Sequence, residues 1–200
     1  MGFRALRVIN EDRVASGQGF GMHGHRNMEI LTYVVQGSLA HKDSMSHQEV
    51  LGPNEIQRMS AGTGVRHSEF NPSSTEPLHL FQIWIEPATM GTQPSYEQLR
   101  FDPVEKKNKL KRLAGPEGGN GAAGINQDAH MFVAELARRV EIPYALGSKR
   151  GAWVQVVRGG VAVNGTEVHT GDAVAVSGEE RLALTGVDSE PSEILLFDVG

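Results

Sequence analysis

Two stretches of this chain, YVVQGSLA at 33–40 and QVVRGGVA at 155–162, share one design: an apolar strand running into a tight glycine turn. A long-period echo of this kind is what a duplicated unit leaves in a sequence. A second echo follows each of them. LGPNEIQRMSAG at 51–62 and HTGDAVAVSG at 169–178 both join a glycine-containing turn to a strand that ends in Ser and Gly. The 200 residues accommodate two domains of roughly 100 residues each, a common domain size. A duplicated β domain is the economical reading.

The first ninety residues support it. ALRVIN, EILTYVVQGSLAHKDS, EIQRMSAG, GVRHSEF and LHLFQIWIE are short β-prone segments, separated by GQGFG, LGPN, AGTG and NPSSTEP as turns, and such spacing predicts an all-β sandwich or barrel. From Pro87 to about Gly124 the pattern dissolves into polar, charged and glycine-rich sequence that reads as a connection with little core of its own. MFVAELARRV, from Met131, is helical by composition and strand-like by alternation, and after it GAWVQVVRGGVAVNG, DAVAVSG and EILLFDVG return to strands. The expected division is a first domain over 1–90, a linker or crossing over 91–128 and a second domain over 129–200.

Composition narrows the chemistry. No apolar run approaches the ~20 residues of a membrane span, and the N-terminal MGFRALRVINEDRV lacks the uninterrupted apolar core of a secretory signal, so a cytoplasmic protein is expected. With no cysteine, thiolate sites, disulfides and cysteine nucleophiles are excluded, and any metal must sit among His and carboxylates. A net charge of -5 argues against a nucleic-acid surface, which needs a basic face. The one basic run, KKNKLKR at 106–112, is expected to be a solvated loop face.

His23 and His25 stand two apart in GFGMHGHRNME, and on a strand residues i and i+2 share a face, so both rings can reach one point. Eight histidines in a chain of this length give roughly 0.3 such pairs by chance, so the pair needs company. His67 and Glu69 in RHSEFN repeat the spacing inside another candidate strand. His47 and Glu49 repeat it as well, but after HKDSMS, where a solvated hairpin tip is expected. The second half carries no histidine pair ahead of its glycine turn, which places any site in the first half.

His23-Gly24-His25-Arg26, then Glu29, then IQRMSAGTGVRHSE at 56–69 resemble the pirin family of the cupin superfamily. NPSSTEPLHLFQIWIEP at 71–87 and the later VQVVRGG extend the likeness to bacterial pirins of the quercetin 2,3-dioxygenase subgroup, over nearly the whole chain. Gly17, His23, His25 and Glu29 fit the first cupin motif, with its closing glycine one residue late at Gly37. Gly64, His67 and Asn71 fit the second, with Gly62 in place of its usual proline. Gly24 stands where family members commonly have proline. Pirins usually carry some thirty residues more before the segment matching Met1-Gly2-Phe3, and their absence here predicts an unpaired sheet edge.

The resemblance implies a bicupin fold, two jelly-roll-like β-barrels face to face, with one metal in the first barrel only. It assigns the ligands to His23, His25, His67 and Glu69 rather than Glu29. Imidazole and carboxylate together suit Fe, Mn, Ni, Cu, Co or Zn, and Fe(II) is the first choice by family analogy. Four ligands on a six-coordinate metal leave two positions for a chelating enolate or catecholate and for O2. The implied activity is O2-dependent cleavage of a flavonol such as quercetin with loss of CO. Glu69 is the catalytic candidate, taking the 3-hydroxyl proton. The same resemblance carries an alternative, a metal-dependent, redox-responsive interaction protein of the eukaryotic pirin type. Cupin isomerases and small-molecule binders use similar His and Glu sets, and fold alone does not choose among them.

Of the remaining candidates, Trp84 and Trp153 are expected in the core, and His41, His79, His130 and His169 as surface or satisfied structural histidines. Met22 and Met59 are candidates for a pocket wall, although methionine more often fills gaps in a core.

Overall fold

The computed structural model describes residues 2–200. Its strands are β1 (Leu6–Val14), β2 (Gly19–His25), β3 (Glu29–Gln36), β4 (Leu39–Asp43), β5 (Gln48–Leu51), β6 (Glu55–Ser60), β7 (Val65–Phe70), β8 (Leu78–Ile85), β9 (Ser95–Arg100), β10 (Lys111–Gly115), the two-residue β11 (Ala123–Gly124), β12 (Ala129–Leu136), β13 (Glu141–Ala145), β14 (Gly151–Arg158), β15 (Gly160–Val163), β16 (Thr166–His169), β17 (Ala173–Ser177), β18 (Arg181–Gly186) and β19 (Ser192–Val199). One 3-10 turn, Pro103–Lys106, is the helical element among the described residues, and no helix among them is long and apolar enough to cross a membrane.

The chain divides into two compact units. Residues up to Phe101 with Pro116–Gln127 form the first, and Asp102–Gly115 with Asp128–Gly200 the second. The stretch 91–128 thus contributes to both, where the sequence suggested a plain connection. SYEQLR forms β9, which pairs with β6 through Met59↔Tyr96 and Arg58↔Glu97. KRLAG forms β10, which pairs with β12. Their polar residues hide the alternation: Tyr96 and Gln98 share one face of β9 and Glu97 takes the other. The ambiguous MFVAEL segment is strand, because β12 pairs with β19 along its whole length.

In the first unit β1, β8, β3, β6 and β9 lie side by side in that order, and β2, β7, β4 and β5 form a second sheet, with β1 and β2 at their edges. All pairings within the unit are antiparallel. Val34, Leu78 and Leu80 of one sheet bury against Leu39 and Leu51 of the other. A separate cluster, Ile30, Met59, Ala61 and Val65 with Trp84 packed on it, lies nearer the ends of β2 and β7. In the second unit β10, β12, β19, β14 and β17 run side by side, and β13, β18, β15 and β16 form the other sheet. One apolar core fills this unit, built from residues such as Val154, Val163, Leu182, Leu184 and Leu196.

The echo between the halves is structural. Gly37 and Gly159 both adopt positive φ, 79 and 75 degrees, which only glycine enters without strain. Each has backbone or a buried serine against it: a Cβ on Gly37 would come within 2.6 Å of the Pro77 carbonyl oxygen, and one on Gly159 within 3.0 Å of Ser192 Cα.

The basic run differs from expectation. Lys106 is buried and its ammonium meets Glu193 at 3.1 Å. Lys111 pairs with Glu105 at 2.7 Å. The 3-10 turn, capped reciprocally by Asp102 and Glu105, carries Lys106 inward, and a carboxylate partner offsets the cost of burying its charge.

Candidate metal centre

His23 and His25 lie on β2, an edge strand that pairs with β7 through His23↔His67 and His25↔Val65. The register slips between Phe20 and His23. This bulge lets the glycine-rich stretch bend while keeping both histidines on the face of His67. Burial along β7 alternates, with Val65, His67 and Glu69 buried and Arg66 and Phe70 exposed, so His67 and Glu69 point into the unit with the histidines of β2.

One ligand atom from each of His23, His25 and His67 lies within 4.8 Å of the other two, and among the described residues these three form the convergent group. Ring centroids stand 4.8 Å apart for His23 and His25, 4.4 Å for His23 and His67, and 4.9 Å for His25 and His67. The tautomer of His23 follows from its neighbour. Nδ1 lies 2.8 Å from the carbonyl oxygen of Gly21, which can only accept, so Nδ1 carries the proton and Nε2 keeps its lone pair. His25 Nε2, both ring nitrogens of His67 and Glu69 Oε1 are buried with no hydrogen-bond partner. Buried polar atoms are almost always satisfied. One nitrogen from each of His25 and His67, with the Nε2 of His23, converges on a single place, and unpartnered imidazole nitrogens there fit a cation held among them.

The electrostatics agree. Burial, then the neighbouring His23 ring, holds His25 below the usual imidazole range. His67 falls to about 3 through burial and the adjacent His23, His25 and His41. Neutral imidazoles are the form a metal requires. Glu69 is pushed up to about 7, chiefly by burial, against the lowering effects of Gln82 and His23. Its carboxylate sits outside the convergent group, with Oε2 accepting a hydrogen bond from Gln82 Nε2 at 2.8 Å.

Glu29 is placed elsewhere. Its neighbour Ile30 belongs to the interior cluster, so Glu29 faces the other side of β3, where its Oε2 accepts from Ser60 Oγ at 2.6 Å. His47 sits at a hairpin tip with Nδ1 2.9 Å from Asp43 Oδ2. His79 is satisfied by Glu11 at 2.9 Å, and His169 is exposed. Met59 is core, at 1% exposure, and Met22 is exposed. Trp153 is half-buried. Trp84 is half-buried too: its ring stands 5.0 Å from His25, edge to face, and its Nε1 donates to Gln82 Oε1 at 3.1 Å. His41 is a correction. Expected at the surface or satisfied, it is 1% exposed with neither ring nitrogen partnered, because it faces inward opposite Glu69 across β4 and β7.

Gln82 escaped the sequence reading, although a glutamine inside the apolar LHLFQIWI is a signal. Its row is polar throughout: Thr32 pairs with both Gln82 and Gln57. The second unit shows what a barrel of this design does without such a site. There Val154 pairs with Leu196 and Val174, an apolar row in the place of Thr32, Gln82 and Gln57. Tyr144↔Leu182 takes the place of His23↔His67, and Val163↔Leu184 that of His41↔Glu69. Ile142, Leu146, Leu182 and Leu184 are buried in its core.

His23 and His25 are half-buried and bring the cluster to the surface, whereas His67 and Glu69 are buried. His25 lines an open cavity of about 390 Å³ with Gly24, Arg26, Gly64, Val65 and Arg66. A Cβ on Gly24 would approach nothing closer than 3.6 Å, so the local backbone accommodates a side chain there.

Comparison with known proteins places this geometry. Residues 1–85 match the family model for pirin, and residues 112–199 that for the quercetinase C-terminal cupin domain. A protein of Escherichia coli K12 named quercetin 2,3-dioxygenase is 46% identical over 199 residues, covering 100% of this chain and 84% of its own length. The crystal structure of YhhW from Escherichia coli superposes with a TM-score of 0.95 at 44% identity, over 100% of this chain and 83% of that one. A second structure, bacterial pirin YhhW in complex with nickel(II), gives a TM-score of 0.93 at 43% identity, over 100% and 84%. The all-β, two-cupin architecture expected from the sequence therefore holds, its histidine cluster suits one divalent metal, and the chain belongs to the pirin family.

Proposed function

We propose that this protein is a metal-dependent dioxygenase that opens flavonols such as quercetin with O2, its metal held by His23, His25, His67 and Glu69, with Fe(II) the expected ion. The observation that carries the reading is the convergence of the three imidazoles within 4.8 Å beside a buried carboxylate oxygen that has no partner. The quercetin 2,3-dioxygenase name of the Escherichia coli relative and the nickel(II) complex of YhhW support it.

A divalent metal in this set would supply a Lewis acid with open positions for an enolate oxygen. The chain does the rest. His23, with Nδ1 committed to Gly21, His25, braced by Trp84, and His67 present fixed lone pairs. Gln82 anchors one oxygen of Glu69 and leaves Oε1 to take the proton of the flavonol 3-hydroxyl, a general-base role that geometry must permit first. His23 and His25 are half-buried, so the cluster lies within reach of a ligand from the surface. The apolar cluster of Ile30, Met59, Ala61 and Val65 keeps water from the far side.

The test is oxygen uptake by the Fe(II)-loaded protein with quercetin. Uptake that is stoichiometric with flavonol loss, accompanied by CO and abolished by His67→Ala, is expected. Metal-replete protein that consumes no oxygen with any flavonol overturns the reading, and a partner bound only in one iron oxidation state would favour the regulatory alternative.

A further inference from the structure

His41 is buried among polar groups and bonded to none of them. It is 1% exposed, neither Nδ1 nor Nε2 has a hydrogen-bond partner, and its register partner on β7 is Glu69, whose Oε1 is also unpartnered. Directly opposed residues of an antiparallel pair have Cβ atoms about 4.5–5.5 Å apart, so imidazole and carboxylate face the same small space. His67 borders it, with ring centroids 5.3 Å from His41.

The ring is held in place. It stacks on Tyr96 at 5.0 Å and 19 degrees, and His47 stacks on Tyr96 at 4.6 Å. Tyr96 is fixed in turn: its hydroxyl accepts from Gln57 Nε2 at 3.0 Å and donates to Gln98 Oε1 at 2.9 Å. The edge of His41 is therefore oriented, not free to turn for packing alone. Packing does not require an imidazole either, since the corresponding pair in the second unit is Val163↔Leu184, both buried in its core. A buried imidazole without a partner destabilises a fold. Where valine suffices, the ring has a polar task.

We propose that His41 is a positioning residue for Glu69, hydrogen-bonding through one buried water to the Oε1 that Gln82 leaves free. With Oε2 anchored by Gln82 and one lone pair of Oε1 engaged by the water, the carboxylate keeps one aim and its other Oε1 lone pair stays free toward the three histidines. Buried waters are held by about three polar partners, and His41, Glu69 and His67 supply them. Groups that orient a ligand from behind commonly change metal affinity by roughly 10–100-fold when removed. The inference rests on the reading of Glu69 as a ligand.

The experiment is a Co(II) titration of the metal-free protein, followed by visible absorption, in wild type, His41→Val and His41→Gln. His41→Val reproduces Val163 and is expected to fold with an unchanged or higher Tm, to bind Co(II) on the order of 10–100-fold more weakly and to shift the ligand-field bands. His41→Gln, whose amide can donate to the same water, is expected to recover most of the affinity and the spectrum. Should His41→Val not fold, His41→Phe, which keeps the stack on Tyr96, is read in the same way. A folded variant without the imidazole that binds Co(II) within twofold of wild type, with the same spectrum, overturns the role of His41 and leaves the metal site standing. Wild-type protein that takes up no Co(II) overturns both.

Discussion

Gln82 on β8 donates to Glu69 on β7 at 2.8 Å, a hydrogen bond that joins the two sheets of the first unit across its interior. It fixes which carboxylate oxygen is engaged and which is free, and Trp84 fixes Gln82 from the next turn of the pleat. Replacing Gln82 by leucine, the residue at the corresponding place in the second unit, keeps the volume and removes the donor. Metal affinity of Gln82→Leu is expected to fall by roughly 10–100-fold, measured by competitive titration with Ni(II). The metal-free variant is expected to lose about 1–3 kcal/mol of stability from the orphaned carboxylate.

The histidines make the opposite demand on stability. Both ring nitrogens of His67 are buried without partners, whereas Leu182 sits in the equivalent register position inside a continuous apolar core. In chelator-stripped protein His67→Leu is therefore expected to be more stable than wild type by about 1–3 kcal/mol, read from urea midpoints. In the presence of metal the order should reverse, because only the wild type gains binding free energy. A variant less stable than wild type in chelator would mean that the cluster is no burden to the fold.

Glu29 gives a pH dependence away from the histidines. Burial, opposed by Ser60 and Arg58, raises its pKa above the ordinary 4.5, so the folded state holds this proton more tightly than the unfolded one. Its contribution is fully present below pH 4.5 and is lost as pH rises through the folded-state value. Glu29→Gln, neutral at every pH, should consequently gain on wild type as pH rises above 4.5, with the difference in urea midpoint growing until the folded-state value is passed. A constant difference would remove Glu29 as its source.

Two glycines of the motif region should behave differently. Gly37→Ala forces a Cβ to within 2.6 Å of the Pro77 carbonyl at φ 79 degrees and should cost more than about 1 kcal/mol. Gly24→Ala meets only ordinary contacts and should raise stability by about 0.4–1 kcal/mol without loss of metal. Thermal unfolding of the two variants checks both.

The ligand candidates were legible because they lie two apart within strands, where spacing in sequence is position in space. His23 and His25 needed only that rule; His67 entered through its own two-apart spacing with Glu69 and through the family resemblance, and its meeting with the pair depends on the β2–β7 register. His41 was not legible, since facing Glu69 depends on how β4 and β7 register; Gln82 stands out as a polar residue in an apolar strand, but its partner Glu69 lies in the other sheet, which no short window carries. Tyr96 was hidden further, on a strand whose alternation is polar on both faces. Lys106 was misread because a basic run looks the same whether its lysines reach water or, as here, a buried Glu193.

The most direct test of the central claim is elemental analysis of the purified wild type beside a His23→Ala/His67→Ala double variant, after equal exposure to Fe(II). The account predicts one metal per chain in the wild type and none in the variant, with both folded. Equal metal in the two proteins, or none in either, would contradict it.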